Sequence, residues 1–252
     1  MEINSKLRQL DYFMEIQDCL QESSSKIIEI YNEFDQSISY KPDNSPLTKA
    51  DIVSHELIEK RLSSISSYPI ISEESDNFYT KESKYWLVDP LDGTKEFISK
   101  NGEFTINIAL IENRYPILGY VFSPTKKTLY VGGLNKGAFK VIDSNIEEVS
   151  VSPSQDPIRI VASRNHLNEE TKKFISQFKS YTLLQAGSSI KLCMIAEGSA
   201  DIYPRLAPTS EWDTAAAQAI VEGAGGSVRD LNHERLAYQK NDILNPYFIV
   251  KA

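Results

Sequence analysis

The stretch Tyr85-Trp86-Leu87-Val88-Asp89-Pro90-Leu91-Asp92-Gly93-Thr94 decides how this chain reads. Its first four residues are apolar and β-rich, which predicts a buried strand over Lys84 to Val88. The strand runs into a loop carrying two carboxylates, tightened by Pro90 and Gly93. Carboxylates that converge in this way suit a hard divalent cation such as Mg²⁺. Gly93 lets another group approach the backbone closely, and the N–H groups of Gly93 and Thr94 can face a phosphate. Taken alone, the segment reads at least as well as an ordinary turn, because Asp, Pro and Gly are common turn formers.

Upstream, Pro69-Ile70-Ile71-Ser72 reads as a short buried strand, and the pair Glu73-Glu74 sits just past it. Before that strand comes a helix starting at Thr48, whose side chain caps it with Asp51 as the acidic partner of a capping box. Val53, Leu57, Ile58 and Leu62 form its buried stripe. The run Tyr40 to Pro46 breaks the chain with two prolines. Earlier still, Ile16, Leu20, Ile27, Ile28 and Tyr31 recur at helical spacing.

Downstream, Phe104–Ile111, Ile117–Phe122, Thr128–Val131 and Ala138–Ile142 are short strands with small turns between them, the pattern of an antiparallel sheet. After residue 150 the pattern alternates. Strands are expected at Arg159–Ala162, Tyr181–Leu184, Asp201–Tyr203, Ser227-Val228 and Phe248–Val250. Helices are expected at Glu169–Phe178, Ser188–Ala196 and Glu211–Gly223, the last capped by Ser210. Asp213 then lies in a first helical turn, where a carboxylate is favoured by the helix dipole in any case. The fold class is α/β, with an α+β half over 1–150 and an α/β half over 151–252 around a continuous core.

Composition narrows the function. The 252 residues are 41% hydrophobic and 25% charged, ordinary for a globular protein, with 27 basic against 35 acidic residues and a net charge of −8. Such a balance argues against wrapping a long nucleic acid. It tolerates a small anionic substrate if a bound divalent metal reverses the local field. Cys19 and Cys193 form no disulfide framework and no Cys-x-x-Cys motif. No leader-like apolar region and no transmembrane run appears, so a cytoplasmic location is expected. His55, His166 and His233 are too dispersed for a metal motif. No Gly-x-Ser-x-Gly elbow or phosphate-binding glycine loop occurs, and Gly223-Ala224-Gly225-Gly226 reads as a helix C-cap.

The ordered set Asp51, Glu73-Glu74, Asp89 to Thr94 and Trp212-Asp213-Thr214-Ala215-Ala216 resembles the inositol monophosphatase superfamily of magnesium-dependent, lithium-sensitive phosphatases, from about residue 40 to the C-terminus. Within it, the chain is similar to the bacterial 3′(2′),5′-bisphosphate nucleotidases. The residues that carry this closer likeness are Asn44 to Asp51, Tyr85 to Ile98, Asn101 to Thr105, Gly187-Ser188-Ser189-Ile190-Lys191, Tyr203-Pro204-Arg205 and Leu244-Asn245-Pro246. Inositol monophosphatases more usually carry Thr-Asn-Phe where this chain has Thr94-Lys95-Glu96-Phe97. Leu47 and Lys49 depart from the small or branched residues common beside the threonine.

The resemblance implies a layered αβαβα sandwich with metals at the junction of its halves. It implies hydrolysis of adenosine 3′,5′-bisphosphate to AMP and phosphate by attack of a metal-activated water, with 3′-phosphoadenosine 5′-phosphosulfate as a further candidate. Glu73, Asp89 and the Leu91 carbonyl would hold one Mg²⁺, and Asp89, Asp92 and Asp213 a second. Glu73 could support a third ion through water. Thr94 backed by Asp51 would serve as base, with Glu74 outside the ligand set. Asp92, Gly93, Thr94, Lys95, Ser188, Ser189, Lys191, Arg205 and Asp213 would face substrate. Oligomerisation is left open. Relatives placed at the cytoplasmic face of the inner membrane suggest peripheral attachment, although no basic amphipathic helix here explains it. The competing readings are an inositol or sugar phosphatase, and a non-catalytic binding module on the same scaffold.

Overall fold

The computed structural model describes residues 6–8, 10–33, 38–41, 46–76, 78–164 and 167–252. The turn expected at 42–45, with Asn44 and Ser45 of the matched motif, and His166 lie outside the described residues. Helix α1 (Phe13–Asn32) buries Phe13, Ile16, Leu20 and Ile27 on the stripe that its periodicity dictates. Strands β1 (Ile38–Tyr40) and β2 (Pro46–Thr48) form a small antiparallel pair leading into α2 (Lys49–Ile65), which starts at the expected Thr48–Asp51 capping box.

The larger sheet has seven strands in sequence order: β3 (Ile70–Ser72), β4 (Lys84–Asp92), β5 (Thr105–Glu112), β6 (Tyr115–Ser123), β7 (Thr128–Gly133), β8 (Gly137–Ile142) and β9 (Asn145–Glu148). Every neighbouring pair is antiparallel except β3 and β4. Both faces are covered, which explains the unbroken apolar runs. Trp86, Val88, Ile106 and Ile108 pack toward α1 and α2. Tyr85, Leu87, Ala109 and Ile111 join a second cluster that reaches Tyr203, Trp212 and Phe248, so one core crosses residue 150.

A short helix α3 (Thr94–Ile98) follows β4. The C-terminal region comprises β10 (Ile158–Ser163), α4 (Glu169–Ile175), β11 (Tyr181–Ala186), α5 (Ile190–Ala196), β12 (Ile202–Arg205), α6 (Ala215–Gly223), β13 (Ser227–Asp230) and β14 (Phe248–Lys251). Its sheet has the order β11-β10-β12-β14-β13, with the first three strands parallel. Helices α5 and α6 fill the space between the two sheets, and α4 covers the outer face through Ile160, Ala162 and Ile175. The layers are therefore helix, sheet, helix, sheet and helix, as the resemblance implied. No helix among the described residues is long and apolar enough to cross a membrane.

Four local expectations need correcting. The strand expected to end at Val88 continues to Asp92. The helix expected from Glu211 begins at Ala215, and Ser210 does not cap it with its side chain. Glu211 is instead drawn to Lys240 and to the backbone N–H groups of Gln239 and Lys240. The helix expected from Ser188 begins at Ile190, because Ser188 is left-handed at φ 45°. The helix expected to reach Phe178 stops at Ile175 and closes in a turn that packs Phe178 on Phe174. Strand β9 was not anticipated, since Asn145-Ile146-Glu147-Glu148 is mostly exposed and lacks an apolar pattern.

Candidate active site

Asp89 and Asp92 lie three positions apart in β4, a spacing that would send them to opposite faces of a regular strand. The pairing with β5 prevents this. Asp89 opposes Asn107 and Asp92 opposes Thr105, so β4 carries one extra residue across a bulge. The bulge restores both carboxylates to the face that looks toward the C-terminal region. Asp213 meets them there from the turn before α6, and one oxygen of each residue lies within 4.8 Å of the others.

This trio is electrostatically unfavourable by itself. Asp89 is buried, and burial followed by the charges of Glu73, Asp92 and Asp213 holds its carboxyl well above the usual range. Burial, then Asp92 and Glu73, pushes Asp213 up to about 8. The donors are carboxylate oxygens, with the Leu91 carbonyl between Asp89 and Asp92 in sequence. Hard oxygen donors around a site of excess negative charge fit Mg²⁺ or a similar cation, and do not fit a thiophilic metal.

Glu73 stands beside the trio because its N–H bonds to the Val88 carbonyl at 3.1 Å. Its carboxylate accepts from Lys41 Nζ at 2.7 Å, and the same ammonium donates to Glu74 at 2.6 Å. Burial works against the charge of Lys41, but the two glutamates outweigh it and raise its pKa. Lys41 was not among the expected site residues; it read as part of the turn before Pro42. The only hint was its place next to the matched motif.

Asp51 has two tasks. Its Oδ2 accepts from Thr48 N at 2.8 Å and from Thr48 Oγ1 at 2.6 Å, completing the capping box. Its Oδ1 accepts from Thr94 Oγ1 at 3.3 Å. Burial pushes the Asp51 carboxyl up to about 6, against the pull of the Thr48 bonds. The helix-capping role and the pairing with Thr94 therefore coexist in one side chain.

Every expected site residue except Asp51 and Ser189 lines one cavity of about 260 Å³. Ser163, Tyr203 and Thr209 line it too and had not been anticipated. Lys191 is buried, donates to the Ser188 carbonyl at 2.5 Å and lies 5.6 Å from the centre of the Tyr203 ring. Arg205 donates to the Pro208 carbonyl through Nη2, while its buried Nε has no hydrogen-bond partner. Ser189 was expected on the substrate side but is buried away from the cavity, with its side chain turned to Asp92 and to the Asp213 carbonyl.

Residues 10–248 match the model of the inositol monophosphatase family. The 3′(2′),5′-bisphosphate nucleotidase CysQ of Buchnera aphidicola subsp. Acyrthosiphon pisum is 46% identical over 206 residues, covering 80% of this chain and 77% of that protein. Its counterpart of the same name from Escherichia coli (strain K12) is 42% identical over 215 residues, covering 83% of this chain and 87% of that protein. The crystal structure of CysQ from Bacteroides thetaiotaomicron, described as a bacterial member of the inositol monophosphatase family, aligns with a TM-score of 0.85 at 41% identity. That alignment covers 95% of this chain and 96% of the other.

Proposed function

Because this chain belongs to the inositol monophosphatase family, we propose that it removes the 3′-phosphate from adenosine 3′,5′-bisphosphate with magnesium as cofactor, releasing AMP and phosphate. The observation that carries the reading is a mutually repelling carboxylate cluster, buried at Asp89 and half-buried at Asp92 and Asp213, that shares one cavity with Lys191 and Arg205. The relatives named as 3′(2′),5′-bisphosphate nucleotidases support the substrate class.

Asp89, Asp92, Asp213, Glu73 and the Leu91 carbonyl would hold two ions, with Glu73 able to support a third through water. When bound, such ions supply Lewis acidity and neutralise charge that develops on phosphoryl oxygens. Thr94 already donates to Asp51, so it can accept a proton from an attacking water as its own proton passes to Asp51. Gly93 and Lys95 line the same cavity beside the carboxylates, where the Gly93 and Thr94 N–H groups can face the phosphate and Lys95 adds a positive charge.

In this reading Ser188, Lys191 and Arg205, which line the cavity, bind the group on the 5′ carbon. The same cations would accept a 5′-phosphosulfate, making 3′-phosphoadenosine 5′-phosphosulfate a second substrate. Residues 1–150 then provide most metal ligands and the base, and 151–252 provide Asp213 and the substrate-side cations, in a protein working on small molecules in the cytoplasm.

The test is phosphate release from adenosine 3′,5′-bisphosphate beside inositol 1-phosphate, with and without Mg²⁺ and Li⁺. The nucleotide should be hydrolysed faster, with release that requires Mg²⁺, is inhibited by Li⁺ and collapses in Asp92→Asn. Preference for inositol 1-phosphate would overturn the substrate assignment. Release that persists in a chelator would overturn the metal assignment.

A further inference from the structure

Ser189 touches both carboxylate-bearing segments although it lines no part of the cavity. Its N–H donates to Asp92 Oδ2 at 2.7 Å, and its Oγ lies 2.9 Å from the same oxygen. That Oγ is also 2.7 Å from the backbone carbonyl of Asp213 and accepts from Asn107 Nδ2 at 2.9 Å. Asn107 Nδ2 and Thr105 Oγ1 approach Asp92 Oδ2 as well, at 3.3 and 3.5 Å.

A carboxylate oxygen has two lone-pair directions, and those of Oδ2 are filled by the Ser189 N–H together with the Ser189 hydroxyl or, when that proton turns to the Asp213 carbonyl, the Asn107 amide. Oδ1 is left as the oxygen that can face a cation; among the described residues no hydrogen bond to it is found. The hydroxyl proton can serve Asp92 or the Asp213 carbonyl. In either case a single buried atom stands between the bulge of β4 and the turn before α6. We propose that Ser189 is a positioning residue, which with Asn107 locks the rotamer of Asp92 and ties it to the Asp213 turn so that both present oxygens to one ion.

The inference rests on the metal reading above, and its effect is confined to the ion shared by Asp92 and Asp213. Groups that hydrogen-bond a metal ligand typically change metal affinity by about 10–100-fold when removed. Ser189→Ala keeps the backbone bond to Oδ2 and loses the hydroxyl. Ser189→Thr keeps the hydroxyl.

The experiment is titration of the metal-free protein with Mn²⁺, followed by electron paramagnetic resonance, for wild type, both Ser189 variants and Asp92→Asn, with a thermal melt of each. Ser189→Ala should weaken by at least about tenfold the same class of site that Asp92→Asn abolishes. It should leave the other class unchanged, and Ser189→Thr should bind closer to wild type. Wild-type affinity in both classes for Ser189→Ala would overturn the proposal. So would equal weakening of both classes with a lowered melting temperature, which marks general loosening. If wild type binds no Mn²⁺, the metal reading itself fails and the proposal falls with it.

Discussion

Asp51→Asn should be at least as stable as the parent at pH 8 and nearly inactive. The carboxyl is only 2% exposed, and its burial, working against the Thr48 bonds, pushes it up to about 6 from an ordinary 3.8. A folded-state value above the unfolded one means that the fold favours the neutral acid. The stability this gives is complete below pH 3.8 and is lost as pH rises through about 6. At pH 8 the ionised Asp51 therefore disfavours the folded state by about 3 kcal/mol relative to the neutral acid.

Asn is neutral at every pH. Its carbonyl can take both Thr48 donors, and its amide can donate to Thr94 Oγ1, so the packing survives with the Thr94 bond reversed. Against the gain stands the loss of charge assistance in the Thr48 bonds, on the order of 1–2 kcal/mol. The net expectation for the metal-free protein at pH 8 is a gain of about 1–2 kcal/mol by urea unfolding, with the pH-dependent part halved by about pH 5. Catalysis should fall by about 10²–10⁴ in kcat, because Thr94 keeps only the Leu91 carbonyl as acceptor and no longer has a carboxylate to take up its proton. A variant destabilised equally at both pH values would refute the burial argument. One with parental kcat would remove Asp51 from the proton path.

Asp89 and Asp213 are raised in the same direction, by burial first, so the metal-free protein should lose stability as pH rises through about 8. Differential scanning fluorimetry should accordingly show Mg²⁺ raising Tm more at pH 8 than at pH 5. A metal effect that is larger at pH 5 would count against the cluster as the binding site. Arg205→Gln should raise KM for adenosine 3′,5′-bisphosphate by about 10–100-fold with little change in kcat, the signature of a lost charged hydrogen bond in ground and transition state alike. An unchanged KM would remove Arg205 from the substrate side. Gly119→Ala places a Cβ 2.0 Å from the Ala216 carbonyl oxygen, and because backbone is the obstacle, β6 and α6 must separate. A loss of about 3 kcal/mol or more in urea unfolding is expected, and a neutral substitution would contradict this packing.

Much of this could be read from the sequence because the informative contacts are local. Thr48 and Asp51 are three residues apart, so their capping box follows from spacing, and the structure confirms it. The strand before Asp89 follows from its apolar run, and the order of acidic motifs gave the family. What escaped depends on pairing across distance. Lys41 reaches Glu73 and Glu74 across a turn and a whole helix. The bulge in β4 is set by register with β5, which no composition of β4 reveals. Glu211 abandons the expected helix because Lys240, far along the chain, offers it a better partner. Ser189 sits in a matched motif, but motif membership does not say which way a hydroxyl points.

The arrangement of the site follows from how two packing problems are solved together. A regular β4 would place Asp89 and Asp92 on opposite faces, so the bulge is what makes them a pair. Asp213 joins that pair only because α6 lies close on the sheet. Such closeness is possible because Gly119 has no side chain and the buried face of α6 is built from Ala215, Ala216 and Ala219. Ser189, entering from the start of α5, bonds to both segments where they meet. A substitution such as Gly119→Ala, although it alters no acidic residue, should therefore weaken Mn²⁺ binding at the site shared by Asp92 and Asp213 more than at the other. The geometry of that site depends on the distance between sheet and helix, whereas Asp89 and Glu73 are held within the sheet itself by β4 and the adjoining end of β3.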